Sequence, residues 1–187
     1  MTNEQIKAIQ KKIGAIPDGF WGPKSIAACQ SYLRSLMPKD NPWPATNQQA
    51  LTAFYGSAGD ESRLVSMPIP DGVTVKYEGD IVKRVRCNER VAHSLSRVIK
   101  NIADTCPHVL LDYNGCYNNR AMRGGSLPSL HARGAAIDFM AGTNGNHTPW
   151  PVASDMPLEA MECFAREGWI AAGAFWGRDA MHAQATR

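Results

Sequence analysis

The sequence predicts an α+β fold in two parts: a small helical unit at the N-terminal end, then a mixed domain with a small antiparallel sheet and flanking helices. Three observations lead there. Two consecutive segments near the start carry apolar residues at helical spacing and show no strand pattern. Beyond residue 48, strand and helix candidates are interspersed without the regular alternation of a doubly wound sheet. A length of 187 residues has room for one full domain plus a small module. Hydrophobic residues at 44% and charged residues at 20% lie near globular averages, which excludes a disordered or low-complexity chain.

The first helix is signalled by Thr2 and Gln5, spaced as a capping box, and by Ile6, Ile9 and Ile13 on one face; Gly14 stops it. In IPDGFWGPKS, Asp18-Gly19 marks a tight turn and Pro23 opens a second helix with the stripe Ile26, Cys29, Leu33 and Leu36. Phe20 is expected in the small core of this unit. Two short helices bury little surface, so the unit must be compact and can lean on the rest of the chain. The segment 37–48, MPKDNPWPATNQ, has three prolines and no apolar period, and reads as a linker. The expected division is a helical module over 1–38, a linker over 39–48 and the larger domain over 49–187.

In the larger domain, Thr46 and Gln49 repeat the capping-box spacing ahead of ALTAFYG, a short helix stopped by Gly56. Val73, Val75 and Tyr77 alternate like a half-buried strand, and IVKRVRC continues extended after the turn at Gly79-Asp80. Val91, Leu95, Val98 and Ile102 mark an amphipathic helix ending before Pro107. HVLLDY and GAAIDFM are buried-strand candidates. Asp155 and Pro157 open a last helix, PLEAMECFARE, closed by Gly168, and AMHAQA is expected as a strand.

The net charge of +3 sits at the N-terminal end, where Lys7, Lys11, Lys12, Lys24, Arg34 and Lys39 face only Glu4, Asp18 and Asp40. It is too small to argue for a nucleic-acid partner, and none is expected. The five cysteines form an odd set with no C-x-x-C pair, which predicts reduced thiols; Cys29 and Cys163 read as small apolar core residues. MTNEQIKAIQKKIGA lacks the apolar core of a secretory signal, and no run of 18 apolar residues occurs. A monomer made in a cytoplasm, without stable membrane association, is the expectation.

Chemistry concentrates in SLHARGAAID (129–138) and WGRDAMH (176–182). His131 and Asp138 lie seven apart with Gly134 between, so a turn followed by a strand can bring imidazole and carboxylate together. Asp179 and His182, three apart, can also converge. Two imidazoles and one carboxylate with a fourth position open are the arrangement of a catalytic zinc, and a second carboxylate would then take the proton from its water. By spacing alone, a His-x6-Asp pair is more often a satisfied structural pair than a pair of ligands. His93, His108 and His147 read as surface residues. Trp169 and Trp176 fit either a cleft or the core.

Two family resemblances bear on these residues. IQKKIGAIPDGFWGPKSIAACQSYL, within roughly residues 3–37, resembles the small helical peptidoglycan-binding module attached to many bacterial and phage cell-wall hydrolases. The pattern S-x-H-x-x-G-x-A-x-D followed by W-x-x-D-x-x-H resembles the zinc peptidases that include D-alanyl-D-alanine carboxypeptidases and the L-alanyl-D-glutamate peptidases used as phage endolysins. That likeness spans about residues 50–185 and is specific over 113–140 and 175–183. It implies one Zn2+ held by His131, Asp138 and His182, with Asp179 as general base where many relatives carry Glu. The segment YNNRAMRGG implies an oxyanion-binding arginine at Arg120, with Arg123 the competitor. Ser129, Arg123 and Trp176 are the implied substrate contacts, though Ser129 can equally orient His131 or cap its turn. Asp18, Trp21 and Lys24 are the positions suggested for wall binding.

Together the resemblances imply a modular endolysin acting on peptidoglycan in the bacterial wall. The expected reaction is hydrolysis of an amide bond in the peptide stem, L-Ala-D-Glu first, by an enzyme released from the host cytoplasm through a membrane lesion made by another protein. A D-Ala-D-Ala carboxypeptidase or D,D-endopeptidase is the alternative. A non-catalytic wall-binding phage structural protein is the second.

Overall fold

The computed structural model describes residues 1–187 and has the expected α+β class. Helix α1 (Asn3–Lys12) begins with the full capping box: Gln5 N donates to Thr2 Oγ1 at 3.3 Å and Thr2 N to Gln5 Oε1 at 2.7 Å. Helix α2 (Pro23–Leu36) starts on its proline and buries Cys29 and Leu33 completely. The connecting turn hangs on one buried side chain. Gln10 Nε2 donates to Asp18 Oδ1, Phe20 O and Ser25 Oγ, while its Oε1 accepts from Gly19 N. Because the Phe20 carbonyl turns inward to Gln10, its ring turns outward and is 72% exposed, which corrects its expected place in the core.

Helix α3 (Gln48–Tyr55) follows. Its cap is Asn47, whose Oδ1 accepts from Ala50 N at 2.9 Å, rather than the Thr46–Gln49 pair, since the chain turns helical one residue later than that pair requires. Strand β1 (Leu64–Pro68) pairs antiparallel with β4 (Arg84–Asn88), and β2 (Val75–Tyr77) forms a hairpin with β3 (Asp80–Val82). Helix α4 (Ala92–Thr105) carries Leu95, Val98, Ile99 and Ile102 through the centre with no exposure. Of HVLLDY, expected as strand, the first four residues instead lie in a 3₁₀ turn, Pro107–Leu111, opened by the proline, and extended structure resumes only at β5 (Tyr113–Gly115). Next come β6 (Ala136–Phe139), α5 (Ala141–Asn144), α6 (Leu158–Arg166), β7 (Ile170–Ala171), α7 (Ala172–Trp176) and β8 (His182–Gln184). Helix α6 is therefore not the last. A four-stranded antiparallel sheet in the order β5-β6-β8-β7 gathers the later strands. No helix is long and apolar enough to cross a membrane.

The two units share one hydrophobic core, which joins Ile9, Ile13, Cys29 and Leu33 to Trp150, Phe164 and Trp169. Lys12 pairs with Glu162 at 2.6 Å and with Glu159 at 3.1 Å, and Tyr32 OH donates to Glu162 at 2.9 Å. The terminal amine of Met1 donates to Ser154 O at 2.8 Å. The proline-rich segment is packed rather than loose: Trp43 is buried, its Nε1 donates to Glu167 O at 2.7 Å, and Asn41 Nδ2 donates to Gly168 O at 2.8 Å. The segment read as a linker is thus packed against the larger domain at Trp43 and Asn41. A tryptophan within it offers more apolar surface than solvent tolerates, and the gap between the units accepts it.

Candidate metal centre

His131 sits on a short 3₁₀ turn, Leu130–Arg133, capped at its start by Ser129, whose hydroxyl accepts from His131 N at 3.3 Å. The turn ends at Gly134 in the left-handed region (φ 64°), where a Cβ would lie 2.8 Å from Asn88 N. Only glycine meets both demands, which explains its place between His131 and Asp138 in the motif. Buried Asn88 locks the turn from outside by donating its amide to Arg133 O and Tyr55 O, both at 3.0 Å. The chain then enters β6, and the antiparallel register sets Asp138 opposite His182 on β8. Cross-strand partners project on the same face of a sheet, so register alone brings these two together.

Three acceptor atoms converge. His131 Nε2 lies 3.1 Å from His182 Nδ1 and 3.2 Å from Asp138 Oδ1, and His182 Nδ1 lies 3.0 Å from that oxygen. Each imidazole uses its other nitrogen outward: His131 Nδ1 donates to Cys116 O at 2.7 Å, and His182 Nε2 donates to Gln184 Oε1 at 3.1 Å. The Gln184 amide is itself oriented by donation from Nε2 to Thr186 Oγ1 at 2.8 Å. In the metal-free chain a proton on His182 can bridge to Asp138; with each imidazole neutral and its proton on the outward nitrogen, the inner lone pairs and the carboxylate face one another as a ligand set for a cation. Tetrahedral coordination with bonds of about 2.0–2.2 Å puts neighbouring ligand atoms about 3.3–3.6 Å apart, a few tenths of an ångström wider than the separations found. The buried group His131, Asp138 and His182 thus fits a metal ion.

Burial works to raise the Asp138 carboxyl, but hydrogen bonds and charge from His131 and His182 hold it well below the usual carboxylate range. For His182 burial works downward, and the bond to Asp138, with the charges of Asp138 and Asp179, raises the imidazole above its ordinary value. Asp179 is raised, first by burial and then by the charge of Asp138, against His182, Arg123 and Arg178. Its Oδ1 is buried without a hydrogen-bond partner, at positive φ (59°) on the wall of the same cleft. A carboxylate oxygen of that kind beside a cation-binding group is the natural acceptor for a proton from bound water.

The cleft, about 180 Å³, is lined by His131, Asp138 and His182 together with Asp179, Arg120, Arg123, Ser129 and Trp176, so every residue expected at the catalytic site reaches it. Ser129 is 5% exposed and acts as the cap of the His131 turn. The Trp176 ring stacks on His182 at 5.6 Å and 26°, half exposed, whereas Trp169 is wholly buried with its Nε1 donating to Ser94 Oγ. Gln184 and the Cys116 carbonyl, which orient the two imidazoles, escaped sequence reading. Gln184 stands two residues after His182 on a strand, and that spacing is the signal that points to it.

In the N-terminal unit, Asp18 and Lys24 line a groove of about 540 Å³ with Phe20. Trp21 does not line it. Its ring packs edge-on against Trp150 at 5.2 Å and is partly buried in the contact between the units. His93, His108 and His147 are exposed, as expected, and all five cysteines are buried and unpaired. Burial pushes Cys29 and Cys87 up to about 12, so they are not reactive thiolates. Searches against protein families, curated proteins and solved structures each found no match.

Proposed function

We propose that this chain is a zinc peptidase that hydrolyses an amide bond in the peptide stem of peptidoglycan, L-Ala-D-Glu first, in the manner of a phage endolysin. The observation that carries the reading is the convergence of three possible ligand atoms beside a half-buried carboxylate, Asp179, whose Oδ1 is buried without a partner, in one cleft. Two imidazoles and one carboxylate suit zinc best among common ions. Bound there by His131, Asp138 and His182, the ion supplies a Lewis acid and a water acidic enough to deprotonate near neutral pH.

Asp179 takes the proton of the attacking water on Oδ1 and passes it to the leaving amine. Its raised pKa matches that double task. Arg120 stands at the neck of the hairpin 120–129, where its carbonyl accepts from Ser129 N at 3.0 Å, two residues before His131. From that fixed base its guanidinium serves the carbonyl oxygen as charge builds on it, a contribution of about 3–4 kcal/mol. Arg123, further along the hairpin, acts by charge on Asp179.

Preference for an internal bond is supported by a second cleft of about 380 Å³, which shares Arg120, Arg123, His131 and Asp138 with the first and runs on past Tyr77 and Arg86. A polymer strand can enter at one side and leave at the other. Arginines along both clefts suit a stem rich in carboxylates. The groove at Asp18, Phe20 and Lys24 is the proposed wall contact. Synthesis in a host cytoplasm and release through a lesion made by another protein belong to the same reading.

Incubation of purified peptidoglycan with zinc-loaded protein, followed by mass spectrometry, tests it. New N-terminal D-Glu is the expected product. Free D-Ala instead would assign the carboxypeptidase alternative, and no cleavage at any metal level would leave a wall-binding protein.

A further inference from the structure

The arm that carries Asp179, residues 172–182, is held in its own domain from Gly177 onward, where Trp150 N donates to Gly177 O at 3.0 Å and Met181 N to Asn144 O at 3.1 Å, but the end of the helix before it has weaker support. Helix α7 is five residues long, and Gly177 and Asp179 both lie at positive φ. So short a helix leaves its last carbonyls without intrahelical donors. The donors come from the N-terminal unit. On α2, Gln30 Nε2 donates to Phe175 O at 3.2 Å and to Ala174 O at 3.4 Å. One turn further along α2, the Arg34 guanidinium lies 4.9 Å over the Phe175 ring.

A second route reaches the same arm. Trp21 packs against Trp150, and Trp150 N donates to Gly177 O at 3.0 Å. Immediately beyond these two anchors the arm delivers Trp176 onto His182 and Asp179 into the cleft. A unit attached only for targeting has no reason to supply donors to a catalytic segment. Here one of its side chains closes the end of the helix that leads to the base.

We infer that the N-terminal unit positions the catalytic arm, with Gln30 as the positioning residue and Arg34 and Trp21 as its supports. The inference rests on the peptidase reading, and it separates positioning from targeting. Loss of targeting would slow only attack on the polymer. Loss of positioning slows attack on a small peptide as well, and in kcat, because a displaced base acts on bound substrate.

The test uses the full-length chain and a soluble stem tetrapeptide too short to span from the cleft to the Phe20 groove. Gln30→Ala and Gln30→Glu, neither of which can donate to the α7 carbonyls, are expected to lose about tenfold in kcat with KM within about twofold and zinc content unchanged. Gln30→Lys keeps a donor suited to a helix C-terminus and should recover most of the rate. Lys11→Ala, on the exposed side of α1, should match wild type. Hydrogen exchange of metal-free protein supplies a readout apart from activity: amides of 176–182 should exchange at least about threefold faster in Gln30→Ala.

Wild-type kcat and wild-type exchange in Gln30→Ala would overturn the inference while leaving the peptidase reading intact. The same holds if Gln30→Glu matches wild type, which would show that donation is not the cause. An inactive wild type whose arm still loosens in Gln30→Ala would remove the peptidase reading and keep the hold on the arm. Should Gln30→Ala fold poorly, the contrast between the Glu and Lys variants decides.

Discussion

Asp179 is held at φ 59°, a conformation that asparagine tolerates as readily as aspartate and alanine does not. Asp179→Asn is therefore the clean removal of the proton acceptor, free of backbone cost. It is expected to lower kcat on stem peptide by about 10²–10⁴ with zinc content at wild-type level, as metal analysis and steady-state kinetics would show. His131→Ala should instead lose the metal. The proton balance of the centre gives a second prediction. In the metal-free chain the raised His182 contributes stability that is complete below its ordinary value of about 6.5 and is lost as pH rises through its folded value. Asp138, held low, contributes stability above its ordinary value that is lost as pH falls through its folded value. Metal needs His182 deprotonated. The rise in melting temperature on adding zinc should thus be larger at about pH 8 than at about pH 5.5, and equal shifts at both would argue against this ligand set.

At the scale of elements, the turn before β6 does most to build the centre. Gly134→Ala combines left-handed strain with a Cβ 2.8 Å from the Asn88 backbone, and should cost about 2–4 kcal/mol in chemical denaturation while weakening metal binding. Ser129→Ala removes a cap at the other end of that turn and should cost only about 1 kcal/mol. The His-x-x-Gly spacing was readable because a short turn leaves a local imprint: a ligand, a cap two residues before it, a glycine three after. Strands left less. β1 has no alternation of apolar and polar residues, and β7 is two residues long, so each exists only because a partner strand lies beside it. HVLLDY misled for the same reason, since an apolar run marks burial without saying whether the backbone is extended or turned.

Across the whole molecule, charge and packing meet at the seam between the two units. The basic excess of the N-terminal end is partly used there: Lys12 is bound to Glu159 and Glu162, and Arg34 lies over Phe175. Lys11, Lys24 and Lys39 remain outward. With one shared core, thermal unfolding should show a single cooperative transition. Deletion of residues 1–38 would expose Trp150 and leave Glu162 without its cation, so the remainder should melt at least about 10 °C lower or fail to fold. Two separate transitions, or a truncated chain with the wild-type melting point, would show instead that the units are independent.

The α+β class and the helices α1 to α4 and α6 were legible in the sequence, because each rests on local spacing; the grouping of His131, Asp138 and His182 with Asp179 was expected from a family resemblance, since spacing alone fits a structural His–Asp pair as well. Three things were decided only in three dimensions. The register of β6 on β8 sets Asp138 against His182, and long-range strand pairing has no local code. The outward hydrogen bonds of Cys116 and Gln184 choose which nitrogen each histidine presents. The docking of the N-terminal unit packed the segment read as a linker and set Trp21 in the seam, since burial depends on what another part of the chain leaves uncovered.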